Sequence, residues 1–260
     1  MTSRFSGRSL ADHAEKNPDL GLVASSGRQY IVAGQWRRRP DIAELIEASP
    51  GDGRGELLDR LCRTLVGKGF VLAVLDYSLG ARDPGFFRRH GFTLIERILE
   101  YERPAAPVVR QPFPDGFLVR PYTENDRVAI LALERESFPW LWWNSDPEWD
   151  SYVANIEVEI FVGTFEGEVV GYAGFVMFRH EGHLDRLAVH RNYHGRRFGA
   201  SLLAEALGRM TSRGASRIAL TTQEDNVRSQ RLYEQNGFRR ARWTYEIHGK
   251  WLAPREGPPS

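Results

Sequence analysis

Two glycines in a basic turn are the residues of this sequence best suited to bind a phosphate group. The turn lies between an apolar segment that ends near Val189 and a helical pattern that begins near Phe198. It contains Gly195, Gly199, Arg191, His194, Arg196 and Arg197. N–H groups at a helix start are unpaired and carry partial positive charge, and glycine lets a ligand approach them, so the turn is a candidate diphosphate site. A solvated basic turn without a ligand is the alternative, and this segment alone does not decide between the two.

A second polar stretch, residues 226–238, follows an apolar strand and a polar loop. Together the two stretches resemble the GNAT family of N-acetyltransferases, whose motifs read V-x-x-x-x-(R/Q)-x-x-G-x-(G/A) and, roughly, N-x-x-(S/A)-x-x-x-Y-x-x-x-G-F. The positions that follow these motifs are Val189, Gly199, Asn226, Ser229, Tyr233, Gly237 and Phe238. Two positions depart from them, because His194 stands for the usual Arg or Gln and Arg197 for the first motif glycine.

The resemblance covers about residues 116–248 and implies an acyl-CoA N-acyltransferase-like fold with acetyl-CoA as cosubstrate. In that fold acetyl-CoA lies in a V-shaped opening between two parallel strands. The backbone of residues 187–189 would pair with the pantetheine arm, the N–H groups of residues 194–200 would hold the diphosphate, and Asn226 would contact the cofactor further along. The cofactor-binding residues implied in this way are Leu187, Ala188, Val189, His194, Gly195, Arg196, Arg197, Phe198, Gly199, Ala200, Asn226 and Ser229.

Tyr233 is the residue that the resemblance assigns to the chemical step, near the thioester sulfur. A neutral phenol has a pKa of about 10, close enough to the value of about 8.5 for a thiol to donate a proton to the departing thiolate. The alternative is a core tyrosine whose hydroxyl is satisfied within the protein.

Direct transfer also needs a base, because the attacking amine must first lose its ammonium proton. Glu181, His183 and Asp185 precede the turn at a spacing of two, which puts them on one face of a strand that extends that far. An imidazole titrates near neutral pH, and a carboxylate could act through water. An ordinary strand-edge role is equally open to each, so the sequence does not identify the base. The candidate catalytic residues are Tyr233, His183 and Asp185.

Four of the seven tryptophans lie within residues 140–149. In the resembled family this region often lines the acceptor site, so Trp140, Trp142 and Trp143 are candidate substrate-binding residues. An aromatic wall could hold an apolar or aromatic amine, or a cation against the ring faces. Packing of these side chains on the core or on the other domain is the alternative.

Apolar periodicity predicts the elements that must position these residues. From Leu202 the apolar residues recur at i, i+1, i+4, i+5 and i+8, which predicts a helix that Gly214 can end. Strands are predicted over residues 116–121, 160–165, 169–178 and 183–189, and a helix over residues 124–137. The C-terminal part is therefore a mixed α/β unit.

An internal repeat suggests that this unit has a partner earlier in the chain. Residues 55–92 follow the same order of helix, glycine, apolar strand, polar loop, short helix and Gly-Phe as residues 200–238. The matching pairs lie at offsets of 145 and 146 residues: Leu57 with Leu202, Gly69 with Gly214, and Phe92 with Phe238. A near-constant offset favours a structural duplication over chance. Phe87 occupies the position of Tyr233, so we expect two tandem units of which the first is truncated and non-catalytic.

Four prolines within residues 103–116 indicate a linker. The predicted organisation is a degenerate acetyltransferase-like domain at residues 1–105, a linker at 106–115, a GNAT catalytic domain at 116–250 and a disordered tail at 251–260.

Composition narrows the class of protein. The chain has 260 residues with 35 Lys+Arg and 34 Asp+Glu, a net charge of +1 that offers no strong basic excess for nucleic acid or an anionic membrane. The longest apolar run, Phe70–Leu75, has six residues, whereas a membrane span needs about 20. The N-terminus leads into no apolar signal segment, and the single cysteine, Cys62, excludes an intramolecular disulfide and a multi-cysteine zinc site. We therefore expect a cytoplasmic protein without a metal.

The function expected is that of an acetyl-CoA-dependent N-acetyltransferase acting on a primary amine of a small molecule or peptide. Its expected partners are acetyl-CoA and the amine acceptor, with a homodimer as an option and neither nucleic acid nor membrane. A sensor or scaffold that binds acetyl-CoA without turnover is the alternative. Nucleic-acid binding through Trp36 and residues 37–39 is a weaker third hypothesis, since three adjacent charges form no extended basic footprint.

Overall fold

The computed structural model describes residues 22–26, 29–49, 54–76, 84–106 and 112–253. The chain divides into two compact units, Met1–Ile98 with Thr244–Ser260 as unit 1 and Leu99–Trp243 as unit 2. The predicted domain boundaries remain a prediction. Residues 107–111 of the predicted linker and residues 254–260 of the predicted tail lie outside the described residues.

The strands are β1 (Leu22–Ser26), β2 (Gln29–Gln35), β3 (Ile42–Ala48), β4 (Leu72–Asp76), β5 (Thr93–Pro104), β6 (Phe117–Pro121), β7 (Val158–Phe165), β8 (Glu168–Phe178), β9 (Glu181–Val189), β10 (Arg217–Gln223) and β11 (Arg239–Trp251). The α-helices are α1 (Arg54–Gly67), α2 (Pro84–Arg89), α3 (Arg127–Ser137), α4 (Asp146–Ala154), α5 (Phe198–Ser212) and α6 (Val227–Gln235). Short 3-10 helices cover Trp36–Arg38, Glu124–Asp126, Trp140–Trp142 and Arg191–Tyr193. The predicted mixed α/β fold class is confirmed.

Unit 1 is a sheet covered by α1. Its strand order is β1-β2-β3-β4-β11-β5, with residues 244–251 of β11 and 93–98 of β5. Strands β3 and β4 are parallel, whereas β1, β2 and β3 pair antiparallel. The apolar face of α1 is buried, and its core residues include Leu57, Leu58, Leu61 and Leu65.

Unit 2 is a sheet with helices on both faces. Its strand order is β6-β7-β8-β9-β10-β5-β11, with residues 99–104 of β5 and 239–243 of β11. Helix α5 packs on one face through Leu202, Leu203, Ala206, Leu207 and Met210. It approaches the sheet closely, since a Cβ atom added at Gly171 would lie 2.8 Å from the Ala188 carbonyl oxygen and 3.0 Å from Leu202 Cδ1. Helices α3 and α4 cover the other face, with Trp149 fully buried in their core. No helix of the described residues is long and apolar enough to cross a membrane.

The repeated segments have the same internal geometry in the two units. Gly69 and Gly214 end equivalent helices with φ angles of +90° and +89°, values that favour glycine. The N–H of Phe92 donates to the Phe87 carbonyl at 3.1 Å, and the N–H of Phe238 donates to the Tyr233 carbonyl at the same distance. Phe87 is a core residue of unit 1, without the hydroxyl group that Tyr233 carries at the equivalent position.

Candidate active site

Strands β9 and β10 are hydrogen-bonded over only about the first half of their length. Their parallel pairing runs from Glu181 with Arg217 to Leu184 with Leu220. Strand β9 nevertheless continues to Val189, held on its other edge by β8, and β10 continues to Gln223. Among the strands of the described residues, none therefore pairs with the β10-facing edge of β9 over residues 185–189. The family resemblance implied an opening between two parallel strands, and the pairing of β9 with β10 ends at this position.

A β-bulge occurs where the pairing ends. Gly174 of β8 pairs with Arg186, but the next residue, Phe175, pairs with Leu184, so Asp185 is the extra residue of β9. A bulge changes which side chains point to each face of a strand. It brings His183 and Asp185 into contact, with 2.7 Å between His183 Nδ1 and Asp185 Oδ1.

Asp185 also contacts α4. The Tyr152 hydroxyl donates to Asp185 Oδ2 at 3.2 Å. Burial, followed by the nearby Asp185 charge, raises the pKa of Tyr152 well above its ordinary value, so this hydroxyl stays protonated. If the proton between His183 and Asp185 resides on Nδ1, the His183 Nε2 atom carries a free electron pair. The His183 side chain is 38% exposed.

Glu181 lies in a different electrostatic environment from the other two base candidates. Its Oε1 atom is 3.7 Å from Arg217 Nη1. The same guanidinium binds Glu100 at 2.9 Å and Glu102 at 2.5 Å. The structure thus brings His183 and Asp185 together and places Glu181 beside Arg217.

His194 closes the turn between β9 and α5. Its Nε2 atom lies 2.7 Å from the Val189 carbonyl oxygen, and its Nδ1 atom contacts the Arg228 guanidinium on α6. Partial burial lowers the pKa of His194 below its ordinary value, which favours a neutral ring that donates through Nε2 and accepts at Nδ1. The backbone N–H of His194 donates to the Arg191 carbonyl at 3.2 Å. The ring and the amide of His194 are therefore both used within the turn.

The next six N–H groups have no such partner. Within the described residues, none of the N–H groups of residues 195–200 donates a hydrogen bond, and the first bond of α5 comes from Ser201 to the Arg197 carbonyl at 3.0 Å. Gly195 and Arg197 adopt left-handed backbone conformations, with φ angles of +80° and +66°. A Cβ atom added at Gly199 would meet only Val189 Cγ2 at 3.7 Å and Leu232 Cδ2 at 3.8 Å, which are ordinary contacts. This turn has the unpaired donors and the open glycine surface that a diphosphate requires.

Helix α6 carries the candidate acid beside this turn. The Asn226 side chain caps the helix by accepting from the Ser229 N–H at 3.2 Å. Tyr233 is 7% exposed, and its ring packs against Tyr101 and Phe238 at centroid distances of 6.2 and 5.9 Å. Burial raises the pKa of Tyr233 to about 12, although a hydrogen bond with Ser229 opposes the shift. The phenol is therefore neutral at pH 7 and a weaker acid than an ordinary tyrosine.

The candidate substrate-binding tryptophans form a partly buried segment between α3 and α4. Trp140, Trp142 and Trp143 are each of intermediate exposure. The Trp143 indole N–H donates to the Phe138 carbonyl at 2.8 Å, and the Trp142 carbonyl accepts from Arg186 Nη2 at 3.1 Å. Arg186 directly follows Asp185, so the segment is tied to β9 next to the candidate base.

A buried ion pair fixes that segment, and the sequence reasoning did not identify it. Glu134 and Arg186 are 1% and 7% exposed, with 3.4 Å between Glu134 Oε1 and Arg186 Nε. Glu134 also accepts from the Asn144 N–H at 3.0 Å and from the Tyr172 hydroxyl. The position of Glu134 in the helix pattern could have revealed this pair, because Glu134 lies on the apolar face of α3 with Ile130. A charge on such a face needs a buried partner.

The segment that contains these residues is similar to known proteins. Residues 127–238 match the model of the acetyltransferase (GNAT) family. The chain is 30% identical over 151 residues to the spore coat polysaccharide biosynthesis protein SpsD of Bacillus subtilis (strain 168). The aligned region covers 52% of this chain and 51% of that protein. The chain thus spans about half the length of this curated relative.

Solved structures resemble the chain over most of its length. A GCN5-related N-acetyltransferase from Sphaerobacter thermophilus superimposes with a TM-score of 0.64 at 19% identity, covering 94% of this chain and 86% of that one. A tandem GNAT protein from the clavulanic acid biosynthesis pathway superimposes with a TM-score of 0.58 at 15% identity, covering 89% and 82%. At these identities the similarity concerns the fold.

Proposed function

Because residues 127–238 match the model of the acetyltransferase (GNAT) family, we propose that this chain transfers an acetyl group from acetyl-CoA to a primary amine of a small molecule or peptide. The observation that carries the proposal is the end of the β9–β10 pairing at Leu184 and Leu220. A strand edge without a partner can hydrogen-bond an extended amide-containing chain such as pantetheine.

The turn after β9 supports acetyl-CoA as the donor. The backbone of Leu187, Ala188 and Val189 would bind the pantetheine arm, and the N–H groups of residues 195–200 would hold the diphosphate. The positive charges of Arg196 and Arg197 favour an anion at this helix start. Asn226 and Ser229 lie at the start of α6 and would contact the cofactor further along.

His183 is our proposed base, with Asp185 as its positioning partner. The 2.7 Å contact between them orients the ring, and the partly exposed ring can accept the ammonium proton. The neutral amine nitrogen then bonds to the acetyl carbon as the carbon–sulfur bond breaks. Tyr233 hydrogen-bonds to the leaving thiolate and gives it the proton that makes it a thiol, and the second proton lost by the attacking nitrogen restores the phenol. With a pKa of about 12, Tyr233 acts mainly as a donor to the developing charge.

Amino sugars deserve inclusion among the acceptors tested. The name of the Bacillus relative places that protein in polysaccharide biosynthesis. Trp140, Trp142 and Trp143 would offer flat apolar surfaces of the kind that pack against a small ligand in a binding site.

The test is a screen of amino sugars, small amines and peptides for acceptor-dependent release of free thiol from acetyl-CoA. We expect at least one class to increase thiol release, and mass spectrometry should find the product heavier by one acetyl group. Tight binding of acetyl-CoA without an acceptor in any class would instead favour the sensor. Absence of acetyl-CoA binding would contradict both functions.

A further inference from the structure

A tyrosine outside the family-matching segment anchors the helix that carries the candidate acid. Tyr101 belongs to the unit 2 part of β5, the neighbour of β10 in the sheet. Its side chain is 1% exposed. Its hydroxyl group donates to Glu234 Oε1 and Gln230 Oε1, both on α6, with oxygen–oxygen distances of 3.2 and 3.4 Å.

The contact extends from α6 to the end of β10. Gln230 Nε2 donates to the carbonyl oxygens of Gln223 at 3.1 Å and Glu224 at 2.8 Å. The turn of α6 from Gln230 to Glu234 is therefore hydrogen-bonded both to β5 and to the C-terminal end of β10.

Strand β5 also holds the other end of the helix. Arg103 Nη1 donates to the carbonyl oxygen of Asn236, the C-terminal cap of α6, at 2.6 Å. Tyr233 lies between Gln230 and Asn236, which these two side chains of β5 contact, and its ring centroid is 6.2 Å from that of Tyr101. The rotation of α6 about its axis, which sets the direction of the Tyr233 hydroxyl, is thus constrained from β5.

We propose that Tyr101 is a positioning residue that directs the Tyr233 hydroxyl toward the leaving group during acetyl transfer. The proposal rests on the proposed function, in which Tyr233 is the donor. Under this proposal Tyr101, which precedes the predicted linker in the sequence, contributes to the active centre. A misplaced reacting group costs rate even when binding is intact, so Tyr101 should affect kcat and leave the KM for acetyl-CoA unchanged.

The test compares Tyr101→Phe, Tyr233→Phe and the double variant, assayed with the best acceptor of the screen. Tyr101→Phe keeps the buried ring, and its hydrogen-bond partner Glu234 is exposed and stays hydrated, so the variant should fold. We expect Tyr101→Phe to lower kcat about tenfold with the KM for acetyl-CoA within about twofold. In the Tyr233→Phe background, the same change should have no further effect, because Tyr101 acts through the hydroxyl already removed. Tyr30→Phe, at a buried tyrosine of unit 1, is the control and should keep the parent kcat.

A second pair of variants tests the hydrogen bond between Tyr101 and Glu234 by changing Glu234. Glu234→Ala removes the nearer of the two acceptors of the Tyr101 hydroxyl and leaves Gln230 Oε1, so it should reproduce part of the kcat loss. Glu234→Gln keeps an acceptor oxygen and should restore most of that part.

Two outcomes overturn the proposal separately from the proposed function. If Tyr233→Phe lowers kcat but Tyr101→Phe does not, Tyr101 has no positioning role. If the losses multiply in the double variant, Tyr101 acts independently of Tyr233. If Tyr233→Phe turns over at the parent rate, the assignment of the donor itself is wrong and the positioning role is rejected with it.

Discussion

Leu184 of β9 and Leu220 of β10 are the last two residues that pair between these parallel strands. Beyond these residues β9 has a β-bulge at Asp185, and β9 and β10 both continue without pairing to each other. The end of this pairing leaves a strand edge available to an extended ligand. The bulge at the same place brings the His183 and Asp185 side chains together beside that edge.

The first prediction concerns the proposed donor. Tyr233→Phe should lower kcat by about 10²–10⁴-fold while acetyl-CoA affinity barely changes, since the hydroxyl acts on charge that develops only in the transition state. The ring is retained, so the free energy of unfolding should stay close to that of the parent. Steady-state kinetics, calorimetric titration and denaturant unfolding measure the three quantities. Turnover at the parent rate would remove Tyr233 from the mechanism.

The second prediction concerns the proposed base. His183→Gln should lower kcat by about 10²-fold or more, because glutamine cannot accept the ammonium proton. Asp185→Asn should cause a smaller loss, since it disturbs only the orientation of the ring. Glu181→Gln is the matched control on the same strand and should retain the parent kcat. The assignment fails if the Glu181 variant is the inactive one.

The third prediction concerns the turn at the start of α5. Gly199→Ala should leave the unfolding free energy unchanged or raised, because the new Cβ atom meets nothing closer than 3.7 Å and alanine favours a helix by up to about 1 kcal/mol. It should nevertheless weaken acetyl-CoA binding, and Gly199→Val should weaken it more, because a side chain there blocks close approach of a ligand.

Calorimetry of the full chain should give one acetyl-CoA site in the parent and lower affinity in both variants. Gly67→Ala, at an open glycine of α1, should bind like the parent. Unchanged affinity in a folded Gly199→Val variant would mean that the ligand does not use this turn.

The fourth prediction concerns Arg197, which adopts a φ angle of +66° where the family motif has glycine. A left-handed conformation costs a non-glycine residue about 1–2 kcal/mol. Arg197→Gly should therefore raise the free energy of unfolding by about 1 kcal/mol in denaturant titration. Arg196→Gly, at a neighbouring residue without positive φ, should not raise it. Equal effects at both positions would show that strain at Arg197 is not the cause.

The fifth prediction concerns the pH dependence of stability. Hydrogen bonds of 2.7 Å from Arg120 are the main reason that the pKa of Asp126 falls from 3.8 to about 2. A carboxyl group with a depressed pKa stabilises the folded state above its unfolded pKa, and this stabilisation is lost as the pH falls from about 4 through 2. Asp126→Asn should therefore cost about 2 kcal/mol at pH 7 and progressively less below pH 4.

Denaturant unfolding at pH 7, 4 and 2.5 tests this dependence. The exposed Asp115→Asn is the control and should change stability little at any of these pH values. A cost at Asp126 that is independent of pH would contradict the ion-pair explanation.

Local patterns in the sequence were enough to predict the repeated helices, the glycine turns and the two motif segments. Helix periodicity and positive φ at residues such as Gly214 depend on neighbours within a few positions along the chain, so they can be recognised without the fold. The near-identical φ angles at Gly69 and Gly214 reflect the same local requirement in the two units.

Only the tertiary structure decided how these segments form a site. The bulge at Asp185 depends on how β8 pairs with β9, and an alternation pattern read along β9 alone cannot contain it. The buried Arg186 pairs with Glu134, 52 positions earlier, and the helix that carries Tyr233 is bonded to Tyr101, 132 positions before Tyr233. Pairing register and burial arise from segments far apart in the chain that folding brings together, and for that reason the sequence indicated the residues of the site but not their contacts.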